Sequence, residues 1–175
     1  IHCRMLRGKH LLFILLSVAV CGTAAARGHG FMHQRLEPET LQYRVMFKWG
    51  LINKKAGTAT LSLTHDAKRY NACMSAKSEP WADRIFRVRD TLKGHMTYSD
   101  FTPLYYEKIA HEGSEHKHDV VRYDYSNSSL VKADCTRKVY KKGELKIDER
   151  RQMSSEGKAL DMLTSFYFMR TLPFE

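Results

Sequence analysis

The sequence predicts a mainly β protein: a curved antiparallel sheet, or incomplete β-barrel, with a helix buried against it near the C-terminal end. Three observations lead there. From about residue 41 apolar and polar side chains alternate with period two, short polar clusters interrupt the alternation about every ten residues, and only in 159–170 does the period change. Strands joined by such short turns run antiparallel, because a parallel connection needs a crossover of roughly a dozen residues or more.

The chain ahead of that sheet has the parts of an export signal. Arg7 and Lys9 precede an apolar run over 11–20, and Ala24, Ala25 and Ala26 supply the small side chains of a cleavage site. The run is shorter than the roughly 20 residues a membrane-spanning helix requires. Residues 1–26 are therefore expected to be removed, with Met5 the true start and Arg27 the first mature residue. Cys21 ends the apolar run, but Val20 precedes it where lipoprotein processing takes Gly, Ala or Ser, so cleavage after Ala26 is preferred to lipidation. Residues 27–40, with Gly28, Gly30 and Pro38 and no periodicity, read as a flexible leader. Residues 41–175 read as one β-rich domain, long enough for its own core and too short for two.

Within it the elements follow in order. Tyr43, Val45, Phe47 and Trp49 alternate with Arg44, Met46 and Lys48, the pattern of a strand with one buried face. Residues 53–57 are expected to turn, and Ala59, Leu61 and Leu63 then alternate with Thr58, Thr60, Ser62 and Thr64. A third strand carries Tyr70, Ala72, Met74 and Ala76. Pro80 ends it, and Trp81, Ile85 and Val88 suit one or two helical turns. Five more strands are expected over 92–98, 104–111, 119–125, 130–140 and 145–153. Residues 159–170 are apolar nearly all round, which predicts a buried helix in which Phe166 and Tyr167 contribute most.

The charge is basic: +10 for the whole chain, and +7 once the signal takes away Arg4, Arg7 and Lys9 with no acidic residue. The cations are scattered as pairs (Lys54 with Lys55, Lys68 with Arg69, Arg137 with Lys138, Lys141 with Lys142) at turns and strand ends, which describes a solvated surface. No nucleic-acid partner is inferred, and in an exported protein the abundant polyanions are lipid and polysaccharide. Cys73 and Cys135 alternate with residues of opposite faces, which argues against a disulfide between them.

No nucleophile elbow, phosphate loop, H-E-x-x-H helix or Cys-x-x-Cys pair occurs in the sequence. His116 and His118 share one side of a strand near His111, Glu112 and Glu115, a weak candidate zinc set on a polar hairpin. Asp90, beside Arg87 and Arg89, reads as a structural ion pair or turn cap rather than half of a catalytic pair with Asp100. Tyr105, Tyr106, Tyr123, Tyr125 and Tyr140 could form a sugar platform, but aromatics are ordinary strand formers.

Several ordered segments resemble a known family. These are the run from Phe47 to Ala59, Arg89-Asp90, the run from Pro103 to Lys108 with Glu112-Gly113, and the run from Asp161 to Arg170. Together they are similar to the exported family called domain of unknown function 3108, over about residues 41–170. That resemblance implies an envelope or periplasmic protein with a fold similar to the lipoprotein carriers of the Lol system, in which an incomplete barrel wraps helices and an apolar cavity. It implies no catalytic residues, and it implies further strands after Arg170, so the C-terminal part is expected to be missing.

The expected function is that of a non-catalytic envelope protein, with no cofactor and no transmembrane segment in the mature chain. Its half-barrel would hold a lipid, a lipoprotein acyl chain or another envelope component, with the 159–170 helix as plug or gate. Trp49, Phe166, Tyr167 and Met169 are the candidate ligand contacts. The alternatives are a metal-dependent hydrolase built on His111, His116 and His118, and a surface scaffold without a small ligand.

Overall fold

The computed structural model describes residues 35–127 and 130–172. The signal, Cys21, the start at Arg27 and most of the leader lie outside the described residues. Ten elements follow one another: β1 (Glu39–Trp49), β2 (Ile52–His65), β3 (Arg69–Ser78), α1 (Pro80–Asp83), β4 (Val88–Thr97), β5 (Pro103–Glu112), β6 (Glu115–Asp124), β7 (Leu130–Lys141), β8 (Glu144–Glu156) and α2 (Met162–Arg170). Each strand pairs antiparallel with the next, giving an eight-stranded meander in the order β1 to β8. It is an open curved sheet rather than a closed barrel.

The register places Leu61, Leu63, Tyr70, Ala72, Leu92 and Met96 on one face, where they are buried together with Leu163 and Tyr167 of α2. This face, called concave below, is the covered one. α2 lies across β4 at Gly94, where an added Cβ would come within 3.2 Å of Leu163 Cδ1; the missing side chain is what lets the helix approach. The other end of α2 is fixed by Arg170, whose guanidinium pairs with both carboxylate oxygens of Glu39 in β1, Nη2 to Oε2 at 3.0 Å.

A second anchor lies in the β4–β5 connection. Phe101 is buried in the left-handed region at φ 57°, a conformation that costs a non-glycine residue on the order of 1 kcal/mol. Its ring stacks on Tyr70 at 4.7 Å between centroids. Asp100 holds the turn: its carboxylate accepts from the hydroxyls of Thr97 and Thr102, both at 2.5 Å, and pairs with Lys158 Nζ at 3.2 Å. These contacts hold its carboxyl far below the ordinary carboxylate range despite partial burial, and they tie the segment ahead of α2 to the sheet. The Tyr70 hydroxyl accepts from the backbone N of Leu36 at 3.1 Å, so the residues just before β1 pack on the same core.

Three details differ from the sequence reading. The first turn is at Gly50 and Leu51, with Gly50 at φ 54°, and residues 53–57 belong to β2. Gly57 serves a close strand approach, since a Cβ there would meet the Lys77 carbonyl at 2.6 Å. In β1, Tyr43, Val45 and Phe47 are exposed rather than buried; β1 is a sheet edge, and α2 is tied to it at Glu39. Finally, α2 buries one face through Leu163, Thr164 and Tyr167, while Met162 and Met169 are exposed. Its apolar character is wider than its contact.

Candidate functional site

The concave face changes character along the strands. Toward the β4–β5 turn it is apolar, carrying Leu92, Met96, Tyr106, Val121 and Cys135 in adjacent strands. Toward the β5–β6 turn the same face carries charge: Asp119 pairs with Arg137 at 3.1 Å, Glu149 with Arg151 at 2.8 Å, and Lys117 with Glu112 at 3.0 Å. Alternation produces both zones, because it fixes which residues share a face and not what chemistry they bring.

α2 covers only the apolar zone of the early strands. Beside it, over β5 to β8, the face opens into a depression of about 300 Å³ lined by Tyr106, Asp119, Val121, Cys135, Arg137 and Met153. Met162 at the start of α2 meets one of these lining residues, the Tyr106 hydroxyl donating to Met162 Sδ at 3.5 Å. One side of the depression is therefore apolar and the other is bounded by ion pairs. That volume is at the lower end for a small-molecule site, roughly 300–1,000 Å³.

Asp161 stands at the border. It caps α2, with Oδ1 accepting from Thr164 N and Oδ2 from Thr164 Oγ1, both at 2.9 Å. Burial pushes its carboxyl up, against those hydrogen bonds. The hydroxyls of Tyr106, Tyr123 and Tyr125 are likewise pushed up, first by burial and then by the Asp161 charge, Tyr125 to about 12. The three phenols therefore stay neutral at any physiological pH. They supply a hydrogen-bonding but uncharged rim next to the apolar zone.

The candidate ligand contacts do not come together. Tyr167 is fully buried and is core. Phe166 is half-buried, edge-on to Tyr167 at 5.2 Å, so its share of the packing is the smaller. Met169 is 53% exposed, and the Trp49 side chain lies outside the described residues. Of the residues that line the depression only Tyr106 is weighed as a ligand contact in the sequence, because Val121, Cys135 and Met153 carry no motif and only strand register gathers them. Asp161 had a signal, an Asp three residues before Thr164 at the head of an apolar helix.

The histidines lie on the opposite, convex face. His111 and His116 are cross-strand partners with rings stacked 4.0 Å apart, while His118 Nε2 meets Glu107 Oε1 at 2.8 Å. Among the described residues no three His, Cys, Asp or Glu side chains converge as a metal site. Asp90 and Asp100 lie at opposite ends of β4, and among the described residues Asp90 forms neither the ion pair nor the turn cap expected of it. Its Oδ1 accepts from His111 N at 3.1 Å, and burial followed by the Glu112 charge raises its carboxyl. Arg89 instead pairs with Asp83 at 2.7 Å. The tyrosines divide between the faces, Tyr106 and Tyr123 concave, Tyr105 and Tyr140 convex, so they form no single platform. Cys73 and Cys135 are both free and on opposite faces.

Among the described residues no helix is long and apolar enough to cross a membrane. A family model described as protein of unknown function (DUF3108) matches residues 42–174, and the chain belongs to that family. No curated protein and no solved structure matches it.

Proposed function

With a family that assigns no chemistry as the starting point, we propose that the chain is a non-catalytic exported envelope protein holding an amphipathic lipid or a lipoprotein acyl chain on its concave face. The observation that carries this reading is the partial cover. α2 closes the apolar zone over the early strands and leaves Tyr106, Val121, Cys135 and Met153 beside a row of ion pairs. An acyl chain on the apolar side would extend the core, and its head group would face Arg137 and Arg151. Burying apolar surface stabilises by about 25 cal/mol per Å², so even part of one chain is worth several kcal/mol before ordering costs. Export rests on the Arg7 and Lys9, apolar-run and Ala24 to Ala26 series.

The test is native mass spectrometry of the full-length protein purified from its own host, with amino-terminal sequencing of the same sample. Co-purified lipid that is lost on Val121→Asp, together with a start at Arg27, is the expected result. A lipid-free protein that also fails to take up added fatty acid would leave a surface scaffold as the better description.

A further inference from the structure

A second site follows from the convex face and is independent of the concave one. Strand register sets Arg89, His111, His116 and Tyr140 side by side across β4 to β7, and Lys138 opposite His118 in the neighbouring rung. Arg87, just ahead of β4, borders the same depression, which has a volume of about 680 Å³. Like charges set directly across strands oppose folding. Placing two arginines, a lysine and three imidazoles around one hollow therefore brings the sheet no stability of its own.

Several of these cations are already engaged. Arg89 is held by Asp83 at 2.7 Å, Lys138 reaches Asp148 at 3.5 Å, and His118 meets Glu107 at 2.8 Å. Glu115 lines the hollow, but Lys117 at 3.2 Å and Lys141 at 3.6 Å share its charge. Among the described residues, Arg87 forms no ion pair, and the stacked His111 and His116 meet no carboxylate through their side chains. His111 Nδ1 lies 3.3 Å from the Arg89 carbonyl. A carbonyl only accepts, so Nδ1 is the donor in this contact. His116 is held below the ordinary imidazole range by partial burial and then by His111 and His118. On the reverse side of these strands lie Asp90, Lys108 and Glu112, of which only Asp90 touches the pair, through the His111 backbone.

We propose that this hollow binds a phosphate group, presented either as free phosphate or as a lipid phosphomonoester headgroup, through Arg87, Arg89 and the His111–His116 pair. A phosphate at the edge of the stacked pair supplies the counter-charge that this cluster of cations lacks. It accepts from the Arg87 guanidinium fork, whose planar donors suit phosphate oxygens, and from the imidazole N–H groups, while Arg89, held by Asp83, adds charge. Binding favours the charged imidazoles, but phosphate also takes up a proton near neutrality, so affinity rises as pH falls from about 8.5 toward about 6.5, where His116 begins to charge, and stops rising below it, where the phosphate loses charge.

The experiment is calorimetric titration of the purified full-length protein with inorganic phosphate at about pH 6.5 and about pH 8.5, in low salt. It is paired with sedimentation against phosphatidylcholine vesicles with and without phosphatidic acid. Affinity several-fold higher at the lower pH is expected, lost in Arg87→Gln and in His116→Gln and kept in Lys132→Gln, a charge control at the opposite end of β7. Free-phosphate binding with this pattern identifies the soluble source, and the same pattern only on phosphatidic acid vesicles identifies the headgroup; either supports the site. Absence of binding in both arms overturns it, as does binding indifferent to pH or to both variants. Should His116→Gln fail to fold, Arg87→Gln at an exposed position carries the test alone, with unchanged circular dichroism as its control. Failure here would leave the concave-face reading untouched.

Discussion

The early and late halves of the meander share one pattern and end in different states. In β2 to β5 the inward residues are sealed, with Leu63, Tyr70 and Met96 at 0% exposure, whereas every residue of β8 is exposed. Both halves alternate and both are joined by tight turns. The difference is a cover: α2 lies over β4, and nothing among the described residues lies over β8. Alternation specifies which side of a strand is eligible for burial, and a second layer decides whether burial happens.

The largest effect expected from that contrast is in the sealed half. Leu63→Ala removes methyl groups from a site with no route for water and should cost about 2–5 kcal/mol of unfolding free energy in denaturant titration. Ile147→Ala, the inward counterpart in β8, should cost well under half as much. Equal losses would mean that the late strands are covered in solution and that the contrast is not real.

Next comes Gly94→Val, which tests whether α2 is fitted to the sheet. With a Cβ already at 3.2 Å from Leu163, two further methyl groups have no space, and overpacking of this kind costs about 1–3 kcal/mol. A helix that rides loosely would move aside without loss. The expected accompaniment is increased binding of a fluorescent apolar probe, because lifting α2 uncovers Leu92 and Met96.

Much of the covered half could be read in the sequence, and most of the site could not. The spacing of Leu61, Leu63, Tyr70, Ala72 and Met74 is a local property and specified both strands and their inner face. The exposure of Tyr43, Val45 and Phe47 was not legible, because it depends on where a helix more than a hundred residues later comes to rest. The same holds for Val121 and Met153, which come to line one depression with Tyr106 through one strand register and three, the last with a bulge between Val139 and Tyr140. Family resemblance supplied the incomplete barrel but no residue roles, and the opposite faces of Cys73 and Cys135 followed from parity alone.

Asp161 offers a smaller effect at the border between the halves, with a definite sign in pH. Its ordinary value is 3.8 and the folded value is higher, so the folded state binds the proton more tightly than the unfolded chain. Below about 3.8 both states are protonated and the group contributes nothing. As pH rises from there through the folded value, stability falls, and the cost stays in full above it. Asp161→Asn, which can still accept from Thr164 N as a cap, should abolish that slope and be more stable than the parent at neutral pH. Asp161→Ala should lose the slope too but also the cap, at about 1 kcal/mol. A slope that survives in the Asn variant would assign it to Asp90, the other carboxyl raised by burial.

The smallest effect on stability carries the most information about function. Met153 is 62% exposed on β8, so Met153→Ser should change unfolding free energy by no more than about 0.5 kcal/mol. On the open face, however, its side chain lines the same depression as Tyr106. If a lipid chain lies there, the thioether is buried in the complex and not in the free protein. The substitution should then weaken fatty-acid binding several-fold while leaving the denaturation curve where it was, a separation that a purely structural residue cannot produce. Loss of stability and binding together would place Met153 in a packed interface that forms without ligand. Loss of neither would remove the late strands from the proposed site and confine any apolar contact to the edges of α2, at Met162 and Met169.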